Sequence, residues 1–157
     1  MQKNDLLRKD DKILRILEIK DDTALVIDCF HKSMPKKILY TDLDAFQTCT
    51  EQDIFAETGN EIRKYDSLDQ KSRRFVHEHF TMIAGILPFI GNERMRCAMI
   101  ASIASEKGIS KQTIRNYLWL YLVYQDIAAL APKQKTCGKA LNQDQKNMRW
   151  ALNKFFY

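Results

Sequence analysis

The sequence predicts an α+β fold, with a small antiparallel β unit followed by a mainly helical region that contains a helix-turn-helix. Short apolar segments within residues 6–40 alternate with acidic turns, which is typical of a β meander. Helix caps and stops beyond residue 66 predict the helices. We divide the chain into a β-rich domain at 1–58, a helix-turn-helix domain at 66–131, a basic linker at 132–141 and the start of a further helical domain at 142–157.

The β unit is predicted to contain strands at residues 6–8, 13–19 and 24–30, with a further strand at 36–40. Residues 13–19 could also form a helix, because Ile13, Ile16 and Leu17 share a helical face. The acidic turns that closely bound this segment favour a strand. Beyond them, we expect a helical turn at 41–43 and irregular chain over 44–66, interrupted by a short helix near 51–57 that ends at Gly59.

Two long helices are then predicted. Ser67 or Asp66 caps the first, from about residue 68 to 86, and Asn92 caps the second, over 93–106. The buried faces predicted for these helices contain Leu68, Phe75, Phe80 and Ile83 in the first, and Met95, Met99, Ile100 and Ile103 in the second.

Residues 104–121 have the pattern of a helix-turn-helix. Ala104 is small where two helices cross, Gly108 tolerates a positive φ in the turn, and Ser110 suits an N-cap. Ile109, Ile114 and Tyr117 are predicted to face the core. The alternative is an ordinary helical hairpin with a glycine turn. The side chains left on the outside of the second helix are Lys111, Gln112, Thr113, Arg115 and Asn116.

The second half of that helix, residues 117–124, is apolar on every side. Such a helix is buried all round, or it is partly exposed for a partner. We expect the helix at 68–86 to cover one side and residues 127–131 another. Trp119 faces DNA, a partner or the core, and the sequence does not decide among them.

The net charge of +5 is unevenly distributed. Residues 1–90 carry 14 Lys/Arg and 16 Asp/Glu, whereas residues 91–157 carry 11 Lys/Arg and four Asp/Glu. The positive excess therefore lies in the half with the helix-turn-helix, which favours a phosphate-binding surface.

No arrangement typical of catalysis, metal binding or cofactor binding occurs in the sequence. The four cysteines are scattered, and His77 and His79 point to different sides of a helix. The chain also has neither a membrane-length apolar run nor a signal peptide, so we expect a cytoplasmic protein without membrane contact. It ends at Phe155-Phe156-Tyr157, which we interpret as a cut through a longer protein or a truncated gene.

Two segments resemble the N-terminal, DNA-end-binding part of DDE-type transposases and integrases of the Tn7 large-subunit and Mu type. One contains residues 5–8, 15–19 and 25–29 followed by Pro35, and the other contains residues 108–118 followed by 129–132. The resemblance implies a small β domain, a helix-turn-helix that binds transposon-end DNA, and a catalytic domain beyond Tyr157. The chain departs from the family at Leu118 to Tyr124, which are apolar where the family has more basic residues.

We therefore predict a sequence-specific, non-enzymatic DNA-binding fragment of a transposase or integrase. Its partners are double-stranded DNA and, through self-association or transposition complexes, further proteins. The alternatives are a helix-turn-helix transcriptional regulator and a protein-interaction module that uses the apolar helix 117–124. We assign base or groove contacts to Lys111, Gln112, Arg115 and Asn116, phosphate contacts to Lys107, Ser110 and Thr113, and backbone or minor-groove contacts to Lys133, Lys135 and Lys139.

Overall fold

A five-stranded antiparallel sheet followed by a mainly helical region confirms the predicted α+β fold class. The computed structural model describes residues 1–59 and 61–132. The strands are β1 (Leu6–Lys9), β2 (Lys12–Lys20), β3 (Thr23–Asp28), β4 (Lys36–Leu39) and β5 (Gln47–Cys49). The α-helices of the described residues are α1 (Glu51–Thr58), α2 (Gln70–Ala84), α3 (Glu93–Lys107) and α4 (Lys111–Tyr124).

Strands β1 to β4 form the predicted meander, and the strand interpretation of residues 13–19 is confirmed. The turns before and after β2 contain Asp10 and Asp21 at φ 55° and 56°. Aspartate tolerates this left-handed conformation because its short side chain bonds locally to the backbone. Tight turns of this kind join antiparallel neighbours, so the sequential strands lie side by side.

Strand β5 was not predicted, and it pairs with β1 at the far edge of the sheet, in the order β4-β3-β2-β1-β5. The chain reaches that edge through a 3-10 helix at Tyr40–Ala45, which corresponds to the helical turn predicted at 41–43. Its Leu43 is fully buried against one face of the sheet, together with Leu14 and Ile16. Because helices cover the other face, β2 is buried on both sides and has a nearly continuous apolar sequence.

The helix-facing side of the sheet and the helices share one hydrophobic cluster. Ile13, Leu17 and Ile27 from the sheet pack in the same cluster as Ile83 of α2 and Leu118 of α4. The boundary drawn between residues 58 and 66 remains a prediction, and the described parts of the two proposed domains are in contact through this cluster.

The first long helix begins later than predicted. Ser67 belongs to a separate 3-10 turn at Tyr65–Ser67, and the Asp69 carboxylate caps α2 by accepting a hydrogen bond from the Ser72 N–H at 2.6 Å. Neither Ser67 nor Asp66 is the cap. The predictions for Asn92 and for the short helix are confirmed, since Asn92 accepts from the Met95 N–H at 3.1 Å and α1 ends at Gly59 with φ 70°.

The predicted apolar stripe of α3 is wrong at one position. Met95 is exposed, whereas Arg96, the next residue, is buried and has a relative exposure of 6%. Met99, Ile100 and Ile103 do pack against the core as predicted. The face of α3 towards the core is therefore rotated by one residue at its N-terminal end, and it carries a charged side chain there.

Buried Arg15 of β2 ties the sheet to α4. Its guanidinium donates to the carbonyl oxygen of Val123 in the last turn of α4, and to the Asn4 carbonyl oxygen at 2.8 Å. It also forms an ion pair with the half-exposed Glu51 carboxylate at 3.1 Å. A cation at a helix C-terminus interacts favourably with the helix dipole, so Arg15 stabilises the end of α4 as well as the sheet.

The basic linker and the helix predicted at 142–157 lie outside the described residues. None of the described helices combines the length and the apolar sequence that a membrane span requires.

Candidate nucleic-acid interface

The turn between α3 and α4 has the predicted local geometry. Gly108 adopts φ 67°, and the N–H groups of Gly108 and Ile109 both donate to the Ala104 carbonyl oxygen. A Cβ atom built at Gly108 would meet no atom within 4 Å, so this position requires glycine for its backbone conformation rather than for space. Ala104 and Ile114 are buried as predicted. The interpretation of the two helices as a DNA-binding motif remains a prediction.

The first turn of α4 is capped by Ser110, whose Oγ accepts a hydrogen bond from the Thr113 N–H at 3.1 Å. The same oxygen lies 2.8 Å from Thr113 Oγ1. The two hydroxyls are therefore hydrogen-bonded to each other, and whichever of them accepts keeps its own hydrogen as a free donor. This arrangement confirms the cap predicted from sequence and fixes the start of the helix.

Two amide side chains are paired along α4. Gln112 Nε2 donates to Asn116 Oδ1 at 3.0 Å, which is the contact expected for residues four apart on a helix. The pair leaves the Gln112 carbonyl oxygen and the Asn116 amide hydrogens unused by this bond. With the second amide hydrogen of Gln112, one free acceptor oxygen and three donor hydrogens are thus available together on the outer side of the helix.

The predicted site residues differ in their exposure. The described residues among them divide into an exposed group and a half-buried group, whereas Lys133, Lys135 and Lys139 lie outside the described part. The exposed group is Lys107, Ser110, Lys111 and Gln112, and the half-buried group is Thr113, Arg115 and Asn116.

The loop between β3 and β4 lies directly beside this surface, a juxtaposition that the sequence analysis missed. Lys32, Ser33 and Met34 line a pocket of about 70 Å³ together with a set of α4 side chains. The pocket therefore combines parts of the chain some 80 residues apart in sequence, and no spacing pattern could have joined them. The α4 side chains in the pocket are Gln112, Arg115, Asn116 and Trp119.

Trp119 faces the core, which settles the question left open by the sequence. It is 7% exposed, and its indole N–H donates to the Asp28 carbonyl oxygen at 2.9 Å. The Asp28 carboxylate in turn accepts from the backbone N–H groups of Phe30 at 2.8 Å and His31 at 3.1 Å. The end of β3, the start of the loop and the middle of α4 are thereby held together.

The rest of the apolar half of α4 is also covered. No residue from 117 to 124 is exposed, and α2 and the 3-10 helix at Ile127–Leu130 pack against α4 as expected. Phe80 of α2 contacts the Tyr121 ring, with 5.2 Å between the ring centres. Burial raises the pKa of Tyr117, so its phenol stays neutral at physiological pH.

The cations of the pocket have no counter-ion within the described residues. The ion pairs among the described residues involve Arg8, Arg15 and His31, and neither Lys32 nor Arg115 belongs to one. No carboxylate from the described part of the chain lines the pocket. Two positive charges and three neutral hydrogen-bonding side chains therefore converge on one small cavity, which is an arrangement suited to an anion.

The charge asymmetry predicted from the sequence is located mostly beyond the described residues. Residues 91–132 carry five Lys/Arg and three Asp/Glu, whereas residues 133–157 carry six Lys/Arg and one Asp. An anion bound at the described surface would therefore depend on the local placement of charge rather than on a large overall excess.

The two histidines of α2 are engaged in structural contacts, and Cys29 is buried. His77 Nε2 lies 2.6 Å from the Tyr65 hydroxyl, and His79 Nδ1 lies 2.6 Å from the Phe75 carbonyl oxygen. Burial raises the pKa of the Cys29 thiol to about 12, so this thiol is unreactive near neutrality. In the described ranges, no three His, Cys, Asp or Glu side chains are grouped closely enough to hold a metal ion.

The chain matches no protein-family model, and no curated protein matches it significantly.

Proposed function

We propose that this chain binds double-stranded DNA through a composite surface, formed by the N-terminal turns of α4 and the β3–β4 loop. The observation that carries the proposal is the pocket in which Arg115 and Lys32 meet without a counter-ion. Unneutralised cations beside hydrogen-bonding side chains suit the phosphates of a duplex, because binding there releases the counter-ions condensed on DNA.

The side chains of this surface divide into two roles. Arg115 and Lys32 grip phosphates at the mouth of the pocket, and exposed Lys107 and Lys111 extend the contact along the backbone. This replaces the base or groove contacts predicted from the sequence for Arg115, which shares the pocket with Lys32, and for Lys111, which is exposed outside it. The paired amides of Gln112 and Asn116 offer one acceptor and several donors, which match the edge of an adenine in the major groove.

Assignment to a transposase or integrase rests on the resemblance at residues 108–118 and at the first strands. In that role the fragment recognises the ends of a mobile element in the cytoplasm and performs no catalysis itself. A transcriptional regulator would use the same surface but would require a short palindromic site for its symmetric dimer. The interaction-module alternative finds less support, because residues 117–124 are all covered.

A selection from random duplex DNA, followed by salt titration of the enriched sequences, tests the proposal. We expect a long or asymmetric site with steep salt dependence, whereas a short palindrome would favour the regulator. Enrichment of no sequence, with only weak binding lost by about 200 mM salt, would refute DNA recognition by this chain.

Variants locate the surface. Arg115→Gln and Lys32→Gln should each reduce the salt slope by about one unit, because each removes one phosphate contact. Gln112→Ala should instead relax the base preference at one position, at a cost of about 1–3 kcal/mol on the preferred site. The matched control is Lys3→Gln, an exposed lysine just before β1. Variants of Arg115 and Lys32 that bind like the control would exclude this pocket from the interface.

A further inference from the structure

A second, larger groove of about 700 Å³ lies on the other side of the β3–β4 loop, between edge strand β4 and the N-terminus of α3. It is distinct from the pocket beside α4, and Met34 lines both. The polar part of its lining consists of Lys36, Lys37, Asn92, Glu93 and Arg96, with Gly91 at the start of the helix.

Arg96 is an unusual side chain for this position. The residue is 94% buried, since its relative exposure is 6%. Its side chain makes one hydrogen bond, from Nη1 to the Ile90 carbonyl oxygen at 2.7 Å. Its Nε–H has no acceptor among the described residues. That nitrogen is closed to solvent, so an anion in the groove would meet the guanidinium at Nη2, which has no hydrogen-bond partner among the described residues and is not occluded.

The start of α3 adds backbone donors to the same groove. The Asn92 side-chain oxygen accepts a hydrogen bond from the Met95 N–H, and the Asn92 backbone carbonyl accepts one from the Arg96 N–H. The N–H groups of Glu93 and Arg94 have no acceptor within the helix, since they precede its first turn of hydrogen bonds. In a helix of 15 residues these groups also carry the positive end of the helix dipole.

Most of the charged side chains around the groove favour the binding of an anion. Lys36 and Lys37 are exposed on β4, and neither joins an ion pair in the described part of the chain. Among the described residues, Glu93 is the one carboxylate that lines the groove, and Glu18 lies close by, with its Oε2 3.7 Å from a Cβ built on Gly91. Three cations against these two carboxylates leave a positive site whose strength Glu93 and Glu18 limit.

We propose that this groove is an oxyanion site that takes a phosphate group. The Arg96 guanidinium and the first N–H groups of α3 hold its oxygens, and Lys36 and Lys37 neutralise its charge. The phosphate comes either from free phosphate in solution or from the backbone of a nucleic acid that crosses the loop. The inference stands independently of the proposed DNA surface, because a different cavity and different residues carry it.

The test is a titration of the intact, isotope-labelled chain with inorganic phosphate, followed by NMR of the backbone amides and compared with chloride at equal ionic strength. We expect saturable shifts at Glu93 and Arg94 with a dissociation constant of about 10 mM or tighter. A duplex that shifts the same amides and prevents further response to phosphate identifies the nucleic acid as the source. A duplex that leaves them unchanged identifies free phosphate. The absence of saturable shifts with either ligand overturns the proposal.

Variants separate the site from a general charge effect. Arg96→Gln should weaken phosphate binding at least about tenfold, and Lys36→Gln with Lys37→Gln about threefold. Glu93→Gln should strengthen binding about threefold, because it removes an opposing carboxylate. Lys3→Gln should leave it unchanged, because Lys3 lies just before β1, which β2 and β3 separate from β4.

If Arg96→Gln fails to fold, the surface variants decide the question. Opposite effects of the lysine and Glu93 variants support the site, since a purely structural role for Arg96 would produce neither. Equal binding by both variants and the control refutes it.

Discussion

The indole N–H of Trp119 donates a hydrogen bond to the carbonyl oxygen of Asp28, 2.9 Å away, and this bond joins the middle of α4 to the end of β3. The carboxylate of Asp28 simultaneously holds the backbone of Phe30 and His31. One residue therefore fixes both the helix and the start of the loop that carries Lys32. The relative position of the two halves of the candidate DNA surface depends on it.

Replacing Trp119 should reveal this role. Trp119→Phe keeps an aromatic ring in the core but leaves the Asp28 carbonyl without its partner, so we expect a loss of about 1 kcal/mol in the free energy of unfolding. Trp119→Ala should lose about 3–5 kcal/mol because it also leaves a cavity. Urea unfolding of both variants measures these values. An unchanged midpoint for Trp119→Phe would show that the hydrogen bond contributes no stability.

The two arginines of neighbouring strands β1 and β2 should differ sharply in their contribution to stability. Arg15→Ala removes a buried guanidinium that serves two carbonyl oxygens and Glu51, and we expect a loss of about 2–4 kcal/mol. Arg8→Ala removes a partly exposed ion pair with Glu57, and it should cost much less than Arg15→Ala because solvent screens this pair. Denaturant unfolding of the two variants side by side makes the comparison. Equal losses would contradict the burial argument.

Replacing two of the glycines by alanine should change the stability of the protein in opposite directions. Gly108→Ala forces a side chain into φ 67°, so it should destabilise the protein by about 1–2 kcal/mol although the space around it is empty. Gly85 has a right-handed helical conformation, and a Cβ there meets only Met99 Cε at 3.5 Å. Gly85→Ala should therefore stabilise the protein by about 0.4–1 kcal/mol. Thermal unfolding tests both, and a destabilised Gly85→Ala would contradict the helical assignment.

Burial of Cys29 predicts a loss of stability at alkaline pH. The pKa of its thiol is about 12 in the folded chain and 9.0 in its ordinary state. Above pH 9 the unfolded chain releases this proton while the folded chain retains it, so stability should fall between pH 9 and 12. The slope from this group reaches about 1.4 kcal/mol per pH unit.

Tyr117 and Tyr124, whose pKa values burial also raises, act in the same direction. Unfolding of Cys29→Ala as a function of pH isolates the thiol and should show a shallower fall. Exposed Cys97 provides the matched control, and Cys97→Ala should follow the wild-type profile. Identical profiles for all three proteins would exclude a contribution from Cys29.

The features predicted correctly from sequence are those that short segments determine. The turn aspartates at 10 and 21 bound β2, and Gly108 with Ser110 sets the boundary between α3 and α4. Each of these residues acts on the backbone of its immediate neighbours, so its effect can be predicted from a sequence segment of a few residues. The cap of α2 was misplaced by two or three positions because Asp66, Ser67 and Asp69 are all competent caps.

The features missed depend on residues distant in sequence. Three-residue β5 exists because β1 offers it an edge, and nothing in Gln47–Cys49 itself indicates a strand. Arg96 is buried because the preceding turn places a carbonyl oxygen at Ile90 beside it. Lys32 joins the candidate DNA surface through the bond between Asp28 and Trp119, 91 residues apart. Of the candidate site, the α4 half was predictable and the loop half was not.

The bond between Arg15 and Val123 has a consequence for synthesis. The two residues are 108 positions apart, so the ribosome completes β2 about 5–20 s before it supplies the acceptor for the Arg15 guanidinium. Until then the Arg15 guanidinium is hydrogen-bonded to water, and the nascent β meander exposes the apolar face that the helices later cover. A fragment that ends at residue 66 should therefore be cleaved rapidly by proteases, and a protease-resistant fragment would contradict this order. The first strands to leave the ribosome are therefore among the last elements to gain all of their tertiary contacts.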